Sequence, residues 1–170
     1  MKATIAEVEK ILRALDETPK ALARATSRAE AGRLRLKPDA RSWSAVEVLS
    51  HLRSCADVWG SSIIFMLTEN EPTLPDTHPR AWVKQTNYST LLFAESLKAF
   101  TYQRDNLLDI LLETSLEDWE RGATIGGRRH TVFTQARRIA KHEAEHIGQI
   151  VELIGAPGGA TIKKRRNVKT

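Results

Sequence analysis

The chain has 170 residues with a single cysteine, Cys55, and no apolar run near the 18 residues a membrane span needs, so an internal disulfide and a transmembrane helix are both excluded. A hydrophobic fraction of 41% and a charged fraction of 28% belong to an ordinary globular chain, long enough to bury a core as one domain. The formal charge of +5 invites a nucleic-acid partner, but Lys163, Lys164, Arg165, Arg166 and Lys169 supply all of that excess, and no recognition motif accompanies them.

The opening residues turn acidic at Glu7 before an apolar segment can form, so no signal peptide is expected. With the lone cysteine this points to a cytoplasmic protein. Ile5, Val8, Leu12 and Leu15 recur at three- and four-residue spacing and predict an amphipathic helix over 4–16. Thr18-Pro19 is expected to interrupt or restart it, because proline disfavours helix at the preceding residue. Helical composition resumes over 19–30, with Leu22 on the same stripe.

A connector from Gly32 to Ser42 leads into Trp43-Ser44-Ala45-Val46-Glu47. Ser44 and Glu47 form a capping-box pattern, and Trp43 can pack against Val48 as a hydrophobic staple. The helix they start is predicted to run from about Ala45 to Thr68, with Val48, Leu52, Cys55, Trp59 and Met66 on one stripe and His51 at its edge. Three prolines between Pro72 and Pro79 predict a loop. A third helix, broken near Asn87, is expected to reach about Glu113, its apolar face formed by Leu92, Leu97, Phe100, Leu107, Leu108, Leu111 and Leu112. Gly122, Gly126 and Gly127 mark a second connector over 116–129. No strand alternation stands out.

The last helix is predicted from about Thr131 to Gly155, where glycine followed by Pro157 gives a stop. Val132, Ile139, His142, Glu143, His146, Ile150 and Leu153 fall within roughly a 100° arc. Residues 1–155 thus describe a single all-α helical bundle domain, and 156–170 a basic tail.

His142 and His146 are four residues apart, one turn above the other on a core-facing stripe. They are either ordinary polar positions on a helix margin or two ligands of one metal ion, which would satisfy both imidazoles at once. With Glu143 they also match H-E-x-x-H, the zinc-protease helix. That enzyme class takes its third ligand downstream. Here the residues after His146 contain no His or Asp, and Glu152 lies about 240° around the helix. The protease reading therefore fails. The third ligand is better sought upstream, where His51 is the other histidine inside a predicted helix. His78 and His130 are expected to be solvated.

The blocks Trp43 to Leu52, Phe100 to Leu108, Asp118-Trp119 and His142 to Ile150, in this order and spacing, resemble the DinB-like superfamily, which includes YfiT-like metal-dependent hydrolases. The resemblance covers about residues 4–155. It implies a four-helix bundle of up-down-down-up topology and a divalent metal held by His51, His142 and His146. It further implies homodimers, and relatives that are thiol S-transferases using bacillithiol or a mycothiol-dependent maleylpyruvate isomerase.

Two functions follow as expectations. The first is an enzyme in which Zn²⁺, Ni²⁺ or Fe²⁺ activates a water or a low-molecular-weight thiol against a small electrophilic substrate, as a hydrolase or S-transferase. Glu143 is its candidate general base or ligand-orienting partner; otherwise it reaches water or caps a cation. Gln149 can orient a histidine or serve as a buried amide. Cys55 is close to His51 but reads first as a small core residue. Arg104 either binds an anionic substrate or pairs with a carboxylate. The second is a metal-binding or stress-response interaction module without turnover.

Overall fold

A computed structural model describes residues 2–155; the basic tail expected over 156–170 lies outside the described residues. Four long helical segments dominate: α1 (Ile5–Thr26), the run α3 (Ala45–Cys55) and α4 (Ser61–Thr68), α6 (Phe93–Leu112) and α7 (Val132–Gly155). Short helices α2 (Ala31–Arg35) and α5 (Pro79–Trp82) lie in the connections. Strands β1 (Thr73–Leu74), β2 (Gly122–Ile125) and β3 (Arg128–Thr131) form a small sheet in the order β1-β2-β3. Among the described residues no helix is long and apolar enough to cross a membrane.

α1 starts where Thr4 accepts a hydrogen bond from the Glu7 amide. It does not break at Pro19, contrary to the sequence expectation. The helix continues to Thr26, with Pro19 buried inside it. Proline removes the amide that would bond the Leu15 carbonyl, while the Thr18 hydroxyl bonds back to the Ala14 carbonyl at 3.0 Å. The packing of Leu15, Leu22 and their neighbours on both sides holds the segment helical.

The capping box forms as the sequence predicts. The Ser44 side chain accepts from the Glu47 amide at 3.3 Å, and the Glu47 carboxylate accepts from the Ser44 amide at 2.9 Å. Helical backbone then runs over 45–68, but Ala56–Gly60 is a π-helical turn that the sequence does not announce. Such a turn widens the helix by one residue and re-aims the side chains beyond it. Asp57 thereby receives hydrogen bonds from Trp82, Tyr88 and Gln103, while Trp59 faces α7.

The third helix is shorter than expected. Residues 79–90 form α5 and two 3₁₀ turns, and α6 begins only at Phe93. Phe100, Leu107, Leu108 and Leu111 are buried as predicted, whereas Leu92 and Leu112, at the two ends, are exposed.

The connector before α7 contains a hairpin. Gly126 and Gly127, with φ of +57° and +74°, make the tight turn between β2 and β3. β1 adds to β2 in parallel, with Thr73 opposite Thr124.

Two clusters make the core. One joins Ile11 and Leu15 of α1 with Trp59, Ile63 and Met66, with Leu107 and Leu111, and with Phe133 and Ile139. The other joins Leu22 with Val46, Leu49 and Leu52, with Phe93 and Phe100, and with Ile150 and Leu153. The histidines of α3 and α7 lie near the division between them.

Candidate metal centre

His51 sits in the second turn of α3, a helix fixed by its capping box and by Val48, Leu49 and Leu52, all fully buried. His142 and His146 lie one turn apart on α7, anchored by Ile139 below and Ile150 above. α3 packs against α7, and this packing brings the three imidazoles together. His142 Nε2 lies 3.4 Å from His51 Nε2 and 3.2 Å from His146 Nε2. One nitrogen from each of the three falls within 4.8 Å of the others.

That spacing fits a shared cation. Two nitrogens each ~2.05 Å from a tetrahedral Zn²⁺ lie about 3.3 Å apart. Among the described residues no fourth His, Cys, Asp or Glu joins the group. Three protein ligands with a fourth direction left to a small molecule is the donor set of catalytic rather than structural zinc sites.

The imidazoles are held in the neutral form that metal ligation needs. Burial, then the neighbouring His146 and His142, pushes the pKa of His51 down to about 3. Burial, His146, Arg138 and Arg80 push His142 down to about 4. Burial also lowers His146, opposed by its bond to Gln149 and by Glu145. The Gln149 carbonyl oxygen is 2.8 Å from His146 Nδ1. That acceptor keeps the proton on Nδ1 and leaves Nε2 free to face the cluster. Nδ1 of His142 is buried without a partner.

Two tryptophans wall the site. Trp43, half-buried, is tilted against His51 with ring centroids 5.1 Å apart and stacked with His146 at 6.4 Å. Trp59 stands edge-on to His142 at 4.9 Å. Trp43 also packs on the cluster that contains Val48, so the residue expected as a staple lines the site as well.

The remaining candidates separate. Glu143 is fully buried and ion-paired with the equally buried Arg104 of α6, so it neither reaches water nor faces the three-histidine group. Its position follows from the helix, since one residue beyond His142 is about 100° around the axis, toward α1 and α6. Burial raises its pKa, while Arg104 and Thr18 act in the opposite direction. Arg104 is thus held by a carboxylate inside the bundle. Cys55 is buried with Sγ 3.6 Å from His51 Nε2 and 3.9 Å from Nδ1, so it lies against the ring and outside the three-nitrogen group. Burial and the nearby Glu143 push its thiol pKa well up. His78 is exposed and accepts from the Arg80 amide at the start of α5. His130 is half-buried on β3, contrary to the expectation that it is solvated, and burial lowers its pKa. Neither belongs to the cluster.

The fold and site define a helical bundle with a three-histidine centre suited to a divalent cation. A sequence model of the DinB superfamily matches residues 14–150. The chain belongs to that superfamily. Among solved structures, YfiT from Bacillus subtilis is described as a probable metal-dependent hydrolase with an unusual four-helix bundle topology. It matches with a TM-score of 0.80 over 89% of this chain and 88% of that one, at 19% sequence identity. At that identity the likeness is one of fold. No curated protein matches the sequence.

Proposed function

We propose that this protein is a divalent-metal-dependent enzyme that acts on a small electrophilic substrate, as a hydrolase or as a thiol S-transferase. The observation that carries the proposal is the convergence of three neutral Nε2 atoms from α3 and α7 with no fourth protein ligand among the described residues. When bound there, Zn²⁺, Ni²⁺ or Fe²⁺ supplies Lewis acidity that lets water or a thiol lose its proton near neutral pH.

The chain's own residues supply position and surroundings. Gln149 fixes the orientation of His146. Trp43 and Trp59 pack against the imidazole rings from the flanks. Glu143 is assigned to the core ion pair with Arg104 and not to general-base work, because its partner lies inside the bundle. The up-down-down-up order of the helices belongs to the same proposal. It is supported by the core clusters, which group the start of α1 with the ends of α4 and α6 and the start of α7. The homodimer implied by the family resemblance is tested by light scattering on the purified chain.

Turnover separates the enzyme from a metal-binding module. Metal-loaded protein is assayed with an electrophile such as monochlorobimane in the presence of different low-molecular-weight thiols, and with simple esters. Faster conjugation or hydrolysis that disappears in His51→Ala is expected. No turnover by metal-loaded protein across both substrate classes would favour the module.

A further inference from the structure

Two arginines approach the three-histidine centre through the same kind of contact. Arg80, in α5, places its Cζ 5.0 Å from the centroid of Trp43, which lies against His51 and His146. Arg138, one turn before His142 on α7, places its Cζ 4.1 Å from the centroid of Trp59, which lies against His142. Each guanidinium is therefore one indole removed from a candidate ligand, and the two come from different elements.

Both arginines are exposed, and neither forms an ion pair with a carboxylate among the described residues. The nearby acids are oriented elsewhere. Asp57 accepts from Trp82, Tyr88 and Gln103, Asp76 lies against Gly126, and Glu145 is 3.9 Å from Lys141. A guanidinium stacked on an indole keeps its charge and its N–H edge, which suits it to a carboxylate.

We propose that Arg80 and Arg138 form an anion-binding rim, so that the small molecule engaged at the three-histidine centre carries a carboxylate a short chain away from its metal-directed atom. The inference rests on the metal-dependent reading above and narrows its substrate or cosubstrate to an anionic class.

The test uses the full chain loaded with cobalt(II). It is titrated at low ionic strength with 3-mercaptopropionate and with 3-mercaptopropan-1-ol, thiols of equal reach that differ by one carboxylate. Sulfur-to-cobalt charge-transfer absorption reports binding. The carboxylate thiol is expected to bind about tenfold more tightly, an advantage that salt reduces. In the Arg80→Gln/Arg138→Gln double variant the advantage disappears while cobalt stoichiometry stays the same. Lysine at both positions restores part of it. Equal affinities in the unaltered protein, a preference that survives the double variant, or no response to either thiol overturns the rim. A chain that takes up no cobalt fails the metal reading itself, and one that binds cobalt and both thiols alike fails only the rim.

Discussion

Gln149 and Glu143 show how position on one helix separates two roles. Gln149 lies about one turn beyond His146 and accepts from its Nδ1. Gln149→Leu removes the group that fixes the ring's tautomer. Metal affinity is expected to fall about 10- to 100-fold without loss of the site, as titration against a competing chelator will show. Glu143 is adjacent to His142 in sequence, yet it is paired with Arg104 in the core. Glu143→Ala leaves a buried guanidinium without its counter-charge and is expected to lower unfolding free energy by about 3–5 kcal/mol. Folded variant protein should keep its metal. Unchanged stability in urea together with lost turnover would return Glu143 to a catalytic role.

At the scale of elements, the hairpin β2–β3 makes a sharp demand on sequence. Gly126 and Gly127 both have positive φ, but only at Gly126 would an added Cβ meet a neighbour, Asp76 Oδ2 at 2.7 Å. Gly126→Ala is therefore expected to destabilise more than Gly127→Ala, whose effect is the conformational penalty alone, about 1 kcal/mol. Comparison of the two denaturation midpoints checks the order. The long helices were legible in the sequence because their signals are local: the Ser44–Glu47 box, the stripe from Val48 to Met66, and the stripe of α7. The hairpin was not, because Gly122–Ile125 and Arg128–Thr131 are four-residue strands, too short for alternation to stand out beside Arg128, Arg129 and His130. The π turn at Ala56–Gly60 and the unbroken passage through Pro19 depend on packing against other helices, which overrides local preference. For the site, the spacing of His142 and His146 pointed to a shared face, and the lack of a downstream ligand pointed to His51 in the upstream helix, which the family resemblance also implies. Glu143 was legible on the core-facing arc of α7 and Arg104 as a residue that could pair with a carboxylate, but that the two meet was not, because the pair joins α7 to α6 across 39 residues.

For the whole molecule, the three imidazoles link folding to protons and to metal. In metal-free protein His51 and His142 stay neutral in the fold down to about 3 and 4, whereas unfolded histidine takes up its proton at 6.5. The unfolded state then binds more protons below 6.5. The contribution of these groups is complete above that value and is lost as pH falls toward 4. Urea midpoints of chelator-treated protein should fall from neutral pH to about pH 5, and replacing all three histidines by alanine should flatten that slope. A divalent cation that binds only the folded chain raises stability in proportion to the logarithm of its concentration over Kd. The most direct measurement is the metal content of purified, metal-reconstituted protein, beside His51→Ala, His142→Ala and His146→Ala, by elemental analysis. We predict about one divalent ion per chain in the unaltered protein and loss of tight binding in each folded variant. Equal metal content in all four proteins would contradict a centre built from these three histidines.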